Sequence, residues 1–404
     1  MTSGATTPSG SAGQARPLDG IKVVEFTHMV MGPTVGLILA DLGADVIKVE
    51  PLTGDNTRRL KGSGGGYFAM YNRNKSSLCL DLKSSEGLAL AQDMVSRCDI
   101  MVENFRPGAM DKLGLGYEQL KSNNPGLIYC SLKGFLSGPY EHRTALDEVA
   151  QMMGGLAYMT GLPDKPMRAG SSVIDITGGM FGVIGILAAL QERHSTGKGR
   201  HITSSLFETT AFMVGQHIAQ QGVLGEEPPP MSVRRSAWSV YDIFTCKDGG
   251  RIFVGVVSDS LWQRFCEEFG FDEWAGDESL AGNNARVQQR DRIIPIIQAL
   301  FDTMDIAELS ARLDRAGMPF APINKPIDLV DDPHMQAGGL LDIELSNGET
   351  IRLPALPVEF DGAKAGVYRQ LPKPGQGGIE YLERLGIASS RVQKLLSDGV
   401  ITPE

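Results

Sequence analysis

Between residues 21 and 135, apolar runs too short for helices alternate with segments of helical periodicity. The stretch "IKVVEFTHMVMGPTVGLILADLGADVIKVEP" reads as strand, helix, strand. Residues 21–26 form a buried strand. Gly32-Pro33 opens a helix to about residue 42, with proline suited to the first turn. Gly43 ends it, and residues 45–50 make a second strand. "SSLCLDLKSSEGLALAQDMVSRCDIMVENF" repeats the pattern, with a strand at 78–82, a helix at 85–97 and a strand at 100–103. "GLIYCSLKGF" adds one more strand with a polar exit. Strands alternating with helices predict an α/β fold built on a parallel, doubly wound sheet.

Downstream the pattern changes. Residues 147–225 read as mostly helical, with a glycine-spaced apolar helix in "GMFGVIGILAALQERHSTGKG" and a second in "SLFETTAFMVGQHIAQQGVLG". "EEPPP" then breaks the chain at a domain edge. "SVYDIFTCKDGGRIFVGVV" is a hairpin around "KDGG", followed by helices, a proline-rich return and a last hairpin through "SNGET". The organisation predicted is a flexible tail at 1–16, a discontinuous large domain at 17–225 and 331–404, and a smaller α+β domain with its linkers at 226–330.

Composition excludes several function classes. A net charge of −10 and a pI near 5.2 argue against a nucleic-acid partner. The apolar run 180–190 is too short for a bilayer span, which needs about 20 residues. The N-terminal "MTSGATTPSGSAGQAR" has no apolar leader core. The five cysteines are isolated, as expected of reduced core thiols in a cytoplasmic protein. The first strand–helix turn, "THMVMGPT", has one glycine where a dinucleotide fingerprint needs three. No Walker loop, HExxH, GxSxG or metal-ligand cluster is present.

What remains is a set of polar groups at strand exits, where parallel sheets bind ligands. His28 leaves the first strand, Lys83 the third, Asn104, Arg106 and Lys112 the fourth, and Lys133 the fifth. Successive cations there make an anion site, such as one for a phosphate-bearing ligand. Asp175, in "SSVIDITGGMFG", reads two ways. It could cap the helix that follows. It could equally be a carboxylate nucleophile, ionised at neutral pH by its reference value of about 3.9. Gly178 and Gly179 would then let a ligand approach, and free helix amides would stabilise an oxyanion.

These residues resemble the class III CoA-transferases, the family of formyl-CoA transferase, the carnitine CoA-transferases and α-methylacyl-CoA racemase. The likeness runs through "PLDGIKVVEFTHMVMGP", "GADVIKVE", "NKSSLCLDLKSSEG", "DIMVENFRPGAMDKLGLGYEQL", "LDEVAQMMGGLAYMTG", "DITGGMFGVIGILAAL" and "AGMPFAPINKPIDLVDDPHMQA". It implies a Rossmann-like large domain and an interlocked homodimer. It also implies that Asp175 is the nucleophile, passing through mixed anhydrides and an aspartyl-CoA thioester with no metal or redox cofactor. It places CoA against Leu80, Asp81, Leu82, Lys83, Asn104, Phe105, Arg106 and Lys112, and the second substrate near His28, Val30, Met31 and Asp147. The family's racemases carry a histidine where this chain has Leu146, which favours transfer over racemisation. Formyl-CoA transferase-like members have a glycine run and an oxalate-site glutamine; here "PPPMSVRRSAW" and Val30 stand instead, against oxalate and formate. Arg168, Arg234 and Arg235 could hold a second carboxylate bidentately, which suggests a C4 or C5 dicarboxylate of the succinate, malate, itaconate or mesaconate type. An acyl-CoA isomerase of the same fold is the alternative.

Overall fold

The computed structural model describes residues 16–233 and 236–403. The chain divides into two compact units. One runs to Ser232 and resumes at Pro333; the other is Val233–Asp332.

The larger unit is built on a sheet with strands β1 (Lys22–Phe26), β2 (Asp45–Glu50), β3 (Lys75–Leu80), β4 (Ile100–Glu103), β5 (Ile128–Lys133) and β6 (His201–Ser205). Their order is β3-β2-β1-β4-β5-β6, all parallel. The short strand Ile401–Thr402 adds antiparallel to β3 at the edge. β2 lies on one side of β1 and β4 on the other, so the order in which strands are added reverses between them while all stay parallel. Open α/β sheets bind ligands at such a point, beyond the carboxyl ends of the strands.

Two strands differ from the sequence expectation. β3 begins at Lys75 rather than residue 78, and β6 was not anticipated. Both differences have one cause. Lys75 is fully buried against Glu25 at 2.8 Å, and Ser77 donates to Glu50 at 2.6 Å. Polar side chains with buried partners sit inside the sheet, and an apolar-run criterion passes over them.

Helices cover both faces. On one, α1 (Met31–Asp41) and, later in the chain, a glycine-spaced helix at Val173–Thr196 enclose Val23, Val46, Val102 and Ile128. A short helix α2 (Tyr67–Tyr71) packs against α1. On the other face lie α3 (Ser85–Ser96) and the helices Gly378–Arg384 and Ser389–Ser397, around Val24, Ile47, Leu78 and Met101. The remaining helices used below are α4 (Asp147–Met153), α5 (Val173–Thr196) and α6 (Leu206–Leu224). Among the described residues α5 alone is long and apolar enough to cross a membrane. One face of it is nevertheless buried on α1 and β5. A Cβ on Gly179 would lie 2.9 Å from the Met31 carbonyl oxygen, and one on Gly182 3.1 Å from Leu132.

The smaller unit has its own antiparallel sheet, Val240–Thr245, Arg251–Val256 and Phe320–Pro322. Helices Asp259–Phe269, Arg290–Phe301 and Ile306–Arg315 pack a core of Trp262, Phe265, Ile297 and Leu309. Its first two strands are the hairpin read from "KDGG".

Candidate active site

Asp175 does not cap its helix. α5 starts at Val173 with Ser172 in the cap position, and Ser172 makes no side-chain cap bond. The cap comes from elsewhere in the chain. Asp147, the first residue of α4, accepts the amides of Ile174 at 2.9 Å and Asp175 at 3.1 Å through Oδ2. Its Oδ1 accepts from Gln151 at 2.6 Å and faces Arg168 at 3.2 Å. Gln151 in turn accepts the Ala169 amide at 2.8 Å, and Arg168 donates to the carbonyls of Ala169 and Ser171. Asp147, Gln151 and Arg168 together fix the approach to α5. The cap reading of Asp175 is therefore corrected. So is the expectation that these two helix amides are free for an oxyanion: Asp147 holds them. Gly178 and Gly179 serve packing rather than ligand approach, since both are buried and a Cβ on Gly178 would meet Met31 at 2.6 Å.

The Asp175 carboxylate accepts no hydrogen bond and makes no ion pair among the described residues, although it is half-buried. Burial first, and the Asp147 charge second, push it up to about 7, with Arg168 opposing. Its reference value misled on this point: near neutrality the group is divided between its two forms. Replacing Asp147 by Ala should act twice. It strips the acceptor from two amides and from Gln151, at a cost of about 1–3 kcal/mol in a urea titration. It also removes a negative charge beside Asp175, so the acid limb of the pH–rate profile should move to lower pH.

The strand-exit residues gather along the carboxyl edge of the sheet. Leu80 ends β3; Asp81 accepts the Lys83 amide at 2.9 Å, and Leu82 is half-buried. Lys83, Arg106 and Lys112 are exposed and have no ion pair among the described residues. Lys133 is different. It is held by Glu103 at 2.6 Å and by the Phe105 carbonyl at 2.8 Å, so its charge is already matched. Asn104 clamps the β1 exit, accepting from the His28 amide at 3.0 Å and donating to its carbonyl at 2.8 Å. The rings of Phe105 and exposed His28 lie 5.6 Å apart. These contacts join the two loops across the point of reversal.

The remaining substrate-side residues divide. Val30 and Met31 are buried, Val30 with Leu37 and Tyr71, Met31 beneath α5. Arg168 is engaged with Asp147 as described. Arg234 and Arg235 lie outside the described residues. Two further groups escaped sequence reasoning: Tyr67, whose hydroxyl lies 3.4 Å from Ser172, and Tyr71. The signal available was their position in "GGGYFAMYNRNK", just ahead of β3.

The chain has recognisable relatives. The sequence profile of CoA-transferase family III matches residues 18–377. The chain belongs to that family. It is 34% identical to the succinate–glutarate CoA-transferase of Agrobacterium fabrum, over 91% of this chain and 96% of that protein. It is also 34% identical to the acetyl-CoA:oxalate CoA-transferase of Acetobacter aceti, over 88% and 92%. Among solved structures, a CAIB/BAIF family protein from Brucella suis has 35% identity and a TM-score of 0.81, covering 92% of this chain and all of its own. This family III member is thus a transferase enzyme with the mixed α/β fold of its structural neighbour.

Proposed function

We propose that this enzyme transfers CoA from an acyl-CoA to a dicarboxylic acid, with Asp175 as the nucleophile. The observation that carries the reading is the uncommitted Asp175 carboxylate. Asp147, Gln151 and Arg168 around it all have partners, and of these four side chains it alone has none among the described residues. The carboxylate oxygen attacks the thioester carbonyl, giving a mixed anhydride and CoA thiolate. The thiolate attacks the aspartyl carbonyl, releasing the first acid and leaving an aspartyl-CoA thioester. The acceptor acid reverses both steps. The electrons of each broken bond leave with the departing group, so no metal or redox cofactor is required. Lys83, Arg106 and Lys112 supply cations for the CoA phosphates.

The acids in the two relatives' names, succinate, glutarate and oxalate, are dicarboxylates. A C4 or C5 acid is the preferred acceptor class. Oxalate is the second reading, named by the Acetobacter aceti relative among others and opposed by Val30, which is buried. Leu146, exposed at the start of α4, has no proton-transferring group, which argues against racemisation. A donor–acceptor panel decides among these: exchange with C4–C5 diacids supports the proposal, and turnover confined to monocarboxylates overturns it. Deuterium entering at the α-carbon without acid exchange would indicate isomerisation.

The working form is an interlocked homodimer in the cytoplasm. Met180 and Ile184 on α5, and Phe212, Ile218 and Val223 on α6, are exposed. Large exposed apolar side chains on two helices that pack together mark an interface. Light scattering should give twice the 43.5 kDa chain mass.

A further inference from the structure

The reaction builds negative charge on the thioester carbonyl oxygen, and the two helix amides nearest Asp175 are unable to meet it. Asp147 occupies both. Some other donor must face that oxygen. Tyr71, at the end of α2, is the candidate the structure provides. Its side chain is buried in one cluster with Val30 and Leu37, against which Tyr67, Met70 and Ile176 pack; Ile176 follows Asp175 directly. Its hydroxyl oxygen is not fully enclosed and is open to a hydrogen-bond partner. The Tyr71 hydroxyl has none among the described residues, whereas the Tyr67 hydroxyl is within reach of Ser172. Burial, and after it the Asp175 charge, push the Tyr71 phenol up to about 12. It is therefore a neutral donor at any working pH, within range of the Asp175 charge and packed against the residue that follows it.

We propose that Tyr71 donates its phenolic hydrogen bond to the thioester carbonyl oxygen as Asp175 attacks, serving as the oxyanion donor of this site. The inference rests on the CoA-transfer reading above. As the aspartyl oxygen bonds to the carbonyl carbon, the carbonyl π pair moves onto oxygen, where Tyr71 meets it. When the C–S bond breaks, that pair re-forms the carbonyl and the sulfur leaves as CoA thiolate. Tyr71 keeps its proton throughout.

The test is Tyr71→Phe in the full-length protein. Losing one oxyanion donor typically lowers turnover about 10²–10³-fold. The expected result is a fall in kcat of about 10²-fold, with KM and the affinity for an unreactive thioether analogue of the acyl-CoA within about twofold of wild type. Because the hydroxyl has no protein partner, the melting temperature should be unchanged. Tyr67→Phe serves as the neighbouring control and should lose far less. Formation of the Asp175–CoA adduct, followed by rapid quench and intact mass without acceptor, should slow in parallel. A fall in adduct formation of less than tenfold in Tyr71→Phe overturns the inference, and so does an equal loss in binding of the thioether. If wild type itself forms no CoA adduct, the transfer reading fails instead.

Discussion

Asp175→Ala should lower CoA transfer by at least about 10⁴-fold, the scale seen when a covalent nucleophile is removed. No CoA-sized adduct should form with an acyl-CoA donor. Asp175→Asn should be as inactive, because the amide keeps the shape and loses the nucleophile. It should also be more stable than wild type, and the sign follows from the raised titration. Between the ordinary value of 3.8 and about 7, the folded chain holds a proton on Asp175 that the unfolded chain has released. Stability therefore falls as pH rises through that interval and stays low above it. Asn removes the charge the site disfavours. At pH 8 the gain is bounded by about 4 kcal/mol; at pH 4 it should nearly vanish. Thermal melts at the two pH values measure the difference. Wild-type activity should rise through about pH 7 as the carboxylate ionises. Full turnover in both variants would remove Asp175 from the chemistry.

The same residue shows what a sequence can and cannot display. Asp175 stood out because a carboxylate between an apolar run and a glycine-spaced helix is unusual. What surrounds it was not legible. Asp147 lies 28 positions earlier, on another helix, and nothing local says that it caps α5. In sequence the helix amides look free and Asp175 looks like an ordinary carboxylate; in the fold Asp147 takes the amides, and burial, with the Asp147 charge second, raises the titration. The glycines misled for a similar reason. In sequence, a missing side chain next to a carboxylate suggests room for a ligand; in the fold, Gly178 and Gly179 are filled by Met31 and Thr34 of α1. The parallel sheet was readable because β1, β2, β4 and β5 are apolar runs. β3 and β6 were partly or wholly missed because their polar residues have buried partners. The cationic strand exits were visible as types but not as pairs: Lys133 looks like Lys83 until Glu103 is placed beside it.

Breaking the buried Glu25–Lys75 pair should cost the larger unit several kcal/mol, about 3–5. Both side chains are fully buried and meet at 2.8 Å, and Lys75 also donates to the Pro33 carbonyl at 3.0 Å. The pair links β1 and β3 beneath α1, and Gly36 leaves the space it needs: a Cβ there would sit 1.8 Å from Glu25 Oε2. Lys75→Met removes the cation and strands the carboxylate in a fully buried site. Loss of one partner from a buried pair costs about 3–5 kcal/mol. For a unit of this size that lowers the melting temperature by about 10 °C. Glu25 Oε2 already lacks a partner among the described residues, so the intact pair is itself an expensive way to fill the space. Glu25→Leu combined with Lys75→Met should therefore recover most of the loss, as apolar replacements of buried pairs do. The two changes should be strongly non-additive in a double-mutant cycle. Activity should follow the same cycle, because α1 is the surface on which the glycines of α5 set Asp175. A double variant no more stable than Lys75→Met alone would show that shape at this position, rather than the stranded charge, governs the cost.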